Sequence, residues 1–217
     1  MNVEEQRGYA RRLAAESIAA GDATGWFERL YAAADRGEAA VPWADLAPNP
    51  MLRAWARPGS DRAVVVGCGL GDDAEYLAGL GHHVTAFDVS ESAVARARSR
   101  FPDSRVEYHA ADLLSPPPEW RRAFDLVVES YTVQVLRGEA RRRAIAGVAD
   151  LVAPGGTLLV IARAREESDD PGRMPWPLTR AEVESFPLPA VRIEDLFDDE
   201  DPPVRRWRAE FRRPAGS

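Results

Sequence analysis

The chain has 217 residues, 45% hydrophobic and 29% charged, with a formal net charge of −7, which predicts one globular α/β domain with an appendage and excludes a disordered or collagen-like chain. The acidic balance argues against a nucleic-acid binder, whose footprint would be a basic face, and no apolar run approaches the roughly 20 residues that a membrane span needs. One cysteine, three histidines and basic residues that are all arginine exclude an intrachain disulfide, a CxxC or HxxxH metal site, and Schiff-base or pyridoxal chemistry, which needs a lysine amine. The acidic start, Met1 to Gln6, lacks the positive region of a secretory signal, so a cytoplasmic location is expected.

In chain order, Tyr9, Leu13 and Ile18 fall at helical spacing over Val3 to Ala20, and Gly21 ends the run. A second helix is predicted from Thr24 to Arg36, with Trp26, Leu30 and Ala33 on one face. Pro42, Pro48 and Pro50 forbid continuous helix over 41–50 and predict a pinned, extended loop. A short helix from Met51 to Arg57 breaks at Pro58-Gly59. Residues 1–58 are therefore expected to form a helical cap, acting as a lid on a core of 59–217.

Strand and helix then alternate. Strands are predicted at Arg62–Val66, His83–Phe87, Arg105–His109, Phe124–Val128 and Thr157–Ala162, with helices at Asp72–Leu80, from a Ser90 cap to Phe101, and at Gly138–Val152. Such alternation implies a mostly parallel sheet with right-handed crossovers. Arg163 to Leu178 is aperiodic, with Pro171, Gly172, Pro175 and Pro177, and reads as a long functional loop. Thr179 with Glu182 forms a capping box, and Leu178 with Val183 a hydrophobic staple, so a helix starts there. Val191 and Ile193, an acidic turn over Asp198 to Pro203, and Trp207, Ala209 and Phe211 against Arg206, Arg208 and Glu210 predict a closing antiparallel hairpin whose charges form a solvated edge.

Four strand ends carry candidate chemistry. Val64 to Asp72 is a strand feeding a glycine turn that opens a helix, where Gly67, Gly69 and Gly71 permit close approach of a ligand to backbone. Cys68 within this turn is expected to fill space rather than act as a nucleophile. A dinucleotide site wants GxGxxG, whereas the spacing here is GxGxG followed by Asp72, so a pyrophosphate would meet a carboxylate. Asp88 ends the second strand, placed to accept from two ribose hydroxyls; Asp112 ends the third, placed to accept from an adenine amino group. Glu129 and Tyr131 bring a carboxylate and a phenol to the end of the fourth. In an open sheet ligands bind beyond these carboxyl ends.

Through VVVGCGLGD, VTAFD, EYHAAD, FDLVVE and LVAPGGTL, residues 61–163 resemble the class I S-adenosylmethionine-dependent methyltransferases. The resemblance implies a Rossmann-like, mostly parallel seven-stranded sheet with a C-terminal antiparallel hairpin, and S-adenosyl-L-methionine as cofactor, leaving as S-adenosyl-L-homocysteine. It implies cofactor contacts at Gly67, Cys68, Gly69, Gly71, Asp88, Val89, Ala111, Asp112, Leu113 and Glu129. Upstream, Trp26, Tyr31, Pro42-Trp43 and Pro48-Asn-Pro50 resemble the N-terminal segment of the thiopurine and thiol methyltransferase group with its tellurite-resistance relatives, which implies that Trp26 and Trp43 cover the sulfonium and the substrate. Glu129-Ser-Tyr-Thr-Val-Gln departs from that group's acid-Arg-Gly run and leaves the acceptor open.

Methyl transfer from a sulfonium is an in-line displacement that depends on positioning and exclusion of water. All three histidines precede residue 110, and no [DN]PP[YFW] run follows the fourth strand. The best fit is S-methylation of a small, largely apolar thiol, which ionises without a strong base, held between Trp43, Tyr131, Met174 and Trp176, with Tyr131 orienting it and Glu129 as the second catalytic candidate. O- or N-methylation of a small metabolite, with Glu129 or Tyr131 handling a proton, and a non-catalytic cofactor-binding regulator are the alternatives. The expected partner is a small molecule, and the expected state a monomer or weak homodimer.

Overall fold

The computed structural model describes residues 3–200 and 202–216. Two cap helices, α1 (Val3–Ala19) and α2 (Gly25–Asp35), and a short α3 (Pro50–Trp55) precede β1 (Arg62–Val66). There follow α4 (Asp72–Gly79), β2 (His83–Asp88), α5 (Glu91–Arg100), β3 (Glu107–Ala110), β4 (Phe124–Ser130), α6 (Gly138–Leu151), β5 (Val152–Arg163), α7 (Arg180–Glu184), β6 (Ala190–Phe197) and β7 (Arg205–Arg212). They build a seven-stranded sheet in the order β3-β2-β1-β4-β5-β7-β6. The first five strands run parallel, and β7 lies antiparallel to both β5 and β6. The order turns back between β1 and β4, which makes that point the switch at which such sheets bind ligands.

Alternate residues of the central strands feed two apolar layers, as expected for strands covered on both faces. Val64, Val66, Val127, Leu158 and Val160 pack under α6 and Val183 of α7. Val65, Val128, Leu159 and Ile161 pack under Leu77 of α4, Val94 of α5, and Met51 and Leu52 of α3. Thus α3 packs on the sheet, whereas α1 and α2 form a separate cluster around Leu13, Trp26 and Leu30 that takes in Met174 and Trp176 of the long loop. That loop is closed at its base, where Leu178 N donates to Arg163 O and Arg165 N to Leu178 O. Among the described residues no helix is long and apolar enough to cross a membrane.

Three expectations change. β5 begins five residues early, at Val152, because a register shift between Phe124 and Leu126 lets β4 pair with both sides of the Pro154–Gly156 turn. β3 is shorter, starting at Glu107. The charged hairpin is a solvated edge only in its outer strand: β6 closes the sheet and is largely exposed, whereas β7 is interior, its polar face meets α3 through a Trp55 Nε1 to Glu210 bond and an Arg208 to Met51 O bond, and Arg206 is only 3% exposed.

Candidate active site

The glycine turn after β1 holds Gly67, Gly69 and Gly71 at φ of +62°, +52° and +93°, a region that disfavours any side chain. A Cβ on Gly67 would collide with Thr132 Oγ1, and one on Gly71 with the Tyr108 hydroxyl, so the turn after β4 and the strand β3 back it closely. Asp88, ending β2, is buried and bound to that turn: Oδ2 accepts from Gly69 N at 3.0 Å and Oδ1 from Ser90 N at 3.0 Å. Burial raises its pKa, opposed by the Ser90 and Gly69 amides. Ser90 Oγ accepts from Ala93 N and caps α5. Cys68 is buried, and desolvation followed by the Asp88 charge pushes its thiol pKa up.

Asp72 does not confront a ligand at the turn. Both its oxygens accept from Arg100, each at 2.8 Å, and Arg100 also donates to Leu70 O. A pyrophosphate at this turn would therefore meet a carboxylate already balanced by a guanidinium in an ion pair.

Beside Asp88, Val89 and Ala111 are half-buried, Leu113 is buried, and Ala111 N donates to Asp88 O. Asp112 follows β3 and accepts from Leu114 N at 2.8 Å through one oxygen. These residues converge on one side of the switch point.

At the end of β4, Glu129 is fully buried: Oε1 accepts from Thr132 N at 2.7 Å and Val133 N at 2.9 Å, while Oε2 has no partner among the described residues. Desolvation drives its pKa up to about 7 against those two amide bonds. The turn it caps carries Tyr131 at φ 62°, a left-handed conformation uncommon for a bulky residue and a marker of constrained sites. Tyr131 N donates to Ile161 O, and the Arg206 guanidinium lies 5.1 Å over its ring. Burial raises the Tyr131 pKa, opposed by Arg206 and by the Asn49 side chain.

The cap reaches the glycine turn through Tyr31, whose hydroxyl would stand 3.1 Å from a Cβ on Gly69 and which accepts from Trp43 Nε1 at 3.2 Å. Trp43 is 40% exposed, whereas Trp26 is wholly buried, stacked on Phe27 and edge-on to Trp43. Trp26, Met174 and Trp176 share one cluster with Trp43 at its edge, while Tyr131 packs with the α3–α4 layer. The four residues expected around the acceptor thus divide into a cap group and a sheet group. Sequence reasoning gives no site role to Glu28, Asn49, Arg163 or Arg206. Glu28 lies one helical turn before Tyr31, on the same face of α2, a spacing that could have marked it.

Residues 63–156 match the family model described as a methyltransferase domain. Over 121 residues the chain is 32% identical to uncharacterized methyltransferases of Mycobacterium tuberculosis and Mycobacterium bovis, covering 55% of this chain and 60% of each relative. It therefore spans less than two thirds of the length of those relatives. A probable thiol methyltransferase of Arabidopsis thaliana is 25% identical over 205 residues, covering 89% of this chain and 84% of that protein. Among solved structures, the chain resembles the N-methyltransferase NodS from Bradyrhizobium japonicum in complex with S-adenosyl-L-homocysteine, at TM-score 0.67 and 24% identity, over 85% of this chain and 98% of that one. It also resembles a chain from a study of the conversion of a disulfide bond into a thioacetal group during echinomycin biosynthesis, at TM-score 0.71 and 22% identity, over 88% and 94%. At these identities the structural likenesses speak for the fold alone.

Proposed function

We propose that this chain, whose residues 63–156 match the model of a methyltransferase domain and whose sheet has the fold of S-adenosylmethionine-dependent methyltransferases, transfers a methyl group from S-adenosyl-L-methionine to a small-molecule thiol. The observation that carries this reading is the convergence of the positive-φ glycine turn, buried Asp88 and strained Tyr131 on the two sides of one switch point.

The donor set fits such a cofactor. Each Asp88 oxygen accepts one backbone amide and keeps a lone pair for a ribose hydroxyl. Val89, Ala111 and Leu113 line the adenine side, with Asp112 as acceptor for its amino group. The glycine turn admits the methionyl portion without side-chain obstruction. When bound, the sulfonium supplies an electrophilic methyl group. The protein's own contribution is to hold the acceptor in line and keep water out. Residues 1–58 serve as the lid over the core of 59–217: Trp43 covers the rim through Tyr31, and Trp26 acts by packing beneath it. Glu129 fixes the turn from which Tyr131 orients the acceptor, and a thiol enters as its thiolate, the proton passing to solvent. The thiol assignment draws on the resemblance to the Arabidopsis probable thiol methyltransferase along most of the chain and on the aromatic and Met-bearing apolar cluster of the cap, to which Met174 and Trp176 belong. We take the working unit as a monomer or weak homodimer in the cytoplasm.

The test is calorimetry with S-adenosyl-L-homocysteine followed by labelled methyl transfer to matched thiols, phenols and amines. Product binding with transfer to thiols is expected. Transfer to phenols or amines alone would overturn the acceptor assignment, and failure to bind the product would overturn the methyltransferase reading.

A further inference from the structure

Arg163, the last residue of β5, and Arg206, the second of β7, are direct cross-strand partners. Directly opposed residues of an antiparallel pair project from the same face, and like charges so placed repel. β7 is interior to the sheet, and Arg206 is buried. Its Nη2 takes both Asp198 and Glu200 at 2.5 Å, while Nε and Nη1 have no partner among the described residues. A buried charged donor without a partner is costly to maintain. No ion pair or side-chain hydrogen bond reaches the half-buried Arg163 guanidinium among the described residues, although its backbone is pinned where Arg163 N donates to Gln134 Oε1 at 2.7 Å. Burial, and then the Arg206 charge, lower its pKa; Arg7 of α1 adds a third cation, Glu200 opposes them, and Tyr131 borders the group. Among the described residues, three guanidinium groups thus stand against the carboxylates of Asp198 and Glu200.

The place of this cluster decides what would balance it. The strand order puts Asp88 and the glycine turn on the β1–β2 side of β4, and the arginines on the β5–β7 side, with Tyr131 between. We propose that Arg163 and Arg206 form a subsite for a carboxylate carried by the methyl acceptor, so that the substrate is an anionic thiol held beside Tyr131. The planar fork of Arg163, which is only half-buried, meets a carboxylate with two parallel N–H donors, and the buried Arg206 charge beside it adds to the attraction. The inference rests on the methyltransferase reading for the identity of the bound molecule, but not for the subsite itself.

The probes are 2-mercaptobenzoate and its neutral counterpart 2-mercaptobenzyl alcohol, titrated calorimetrically into the full chain with and without saturating S-adenosyl-L-homocysteine. The expected result is at least ten-fold tighter binding of the anion. Arg163→Gln should shrink that preference to about two-fold while leaving affinity for S-adenosyl-L-homocysteine within two-fold, and Arg163→Glu should shift the preference to 2-mercaptobenzylamine. Arg163 is the primary site of substitution because Arg206 also holds the β6–β7 turn. Equal binding of anion and alcohol, no binding of either, or a preference undiminished in Arg163→Gln would overturn the subsite. A loss of S-adenosyl-L-homocysteine affinity in Arg163→Gln with the anion preference intact would assign the carboxylate to the cofactor's methionyl end and likewise overturn it. Should the wild-type chain fail to bind S-adenosyl-L-homocysteine, the methyltransferase reading falls, and the titrations without it still decide the subsite.

Discussion

Glu28 on α2 accepts a hydrogen bond of 2.6 Å from the hydroxyl of Ser92, the second residue of α5. The same carboxylate accepts from Ser92 N at 3.1 Å and Ser90 Oγ at 2.7 Å, so an anion on the cap sits at the N-terminus of a sheet helix, where the helix dipole favours it. Burial alone would raise the Glu28 pKa, but the Ser92 and Ser90 bonds outweigh it and leave it lowered. Glu28→Ala should weaken this attachment by about 1–2 kcal/mol, the scale of hydrogen bonds to a charged group at a partly exposed site. Amide exchange over residues 24–45 should then speed up, and slow again when S-adenosyl-L-homocysteine is added. Exchange in the variant that matches wild type would show that the aromatic packing alone holds the cap.

Asp88→Ala removes both the acceptor for the Gly69 and Ser90 amides and the group assigned to ribose. Affinity for S-adenosyl-L-homocysteine should drop at least ten-fold, corresponding to about 1.5–3 kcal/mol for bonds to a charged acceptor. Asp112→Ala should cost less, since one bond is lost. Calorimetry on variants with native circular dichroism measures both, and unchanged affinity in Asp88→Ala would remove the ribose assignment.

Glu129 makes stability depend on pH in a direction opposite to that of a paired carboxylate. Unfolded, the group titrates near 4.5, and folded at about 7. Between those values the folded chain holds a proton that the unfolded chain has released, so its contribution is full below 4.5, falls as pH rises through the window and levels off above 7. The size is on the order of 3 kcal/mol at 1.36 kcal/mol per pH unit. Glu129→Gln keeps an acceptor for the Thr132 and Val133 amides without the ionisation. Urea unfolding should therefore show the Gln variant gaining on wild type between pH 5 and pH 8; a constant difference would mean that Glu129 titrates normally.

Tyr131→Phe separates orientation from proton transfer. For a thiol with no enzymic base, turnover should rise with the acceptor's own ionisation, and the variant should lose about ten-fold or less. A pH profile indifferent to acceptor pKa, with activity collapsing in Tyr131→Phe or Glu129→Gln, would point to an oxygen or nitrogen acceptor.

The elements legible in the sequence are those whose signals are local. The β-branched run at Arg62–Val66, the Ser90 cap and the Thr179–Glu182 capping box appear where they are read, the last with both of its reciprocal bonds. The glycine turn and Asp88 are legible for the same reason, being separated by one βαβ unit. Glu129 is harder, because a carboxylate at a strand end looks like a ligand contact, and only the chain reversal behind it shows that its partners are the Thr132 and Val133 amides. Arg206 is not legible at all: period-two alternation separates the two faces of β7, but whether the polar face meets water or α3 depends on a strand order that alternation does not encode.

The insertion of β7 between β5 and β6 has a kinetic consequence. The residues assigned to the nucleoside and the methionyl portion of the cofactor, Gly67 to Leu113, come from one short stretch in which β1 pairs with β2 and β2 with β3, so little chain entropy is lost in bringing them together. The wall beyond Tyr131 joins Arg7, Arg163 and Arg206, drawn from both ends of the chain, and closing loops of that length slows assembly more than it weakens the folded state. The strands that carry the residues assigned to the cofactor, β1 to β3, are thus all made before β7, which brings Arg206 to the proposed acceptor subsite.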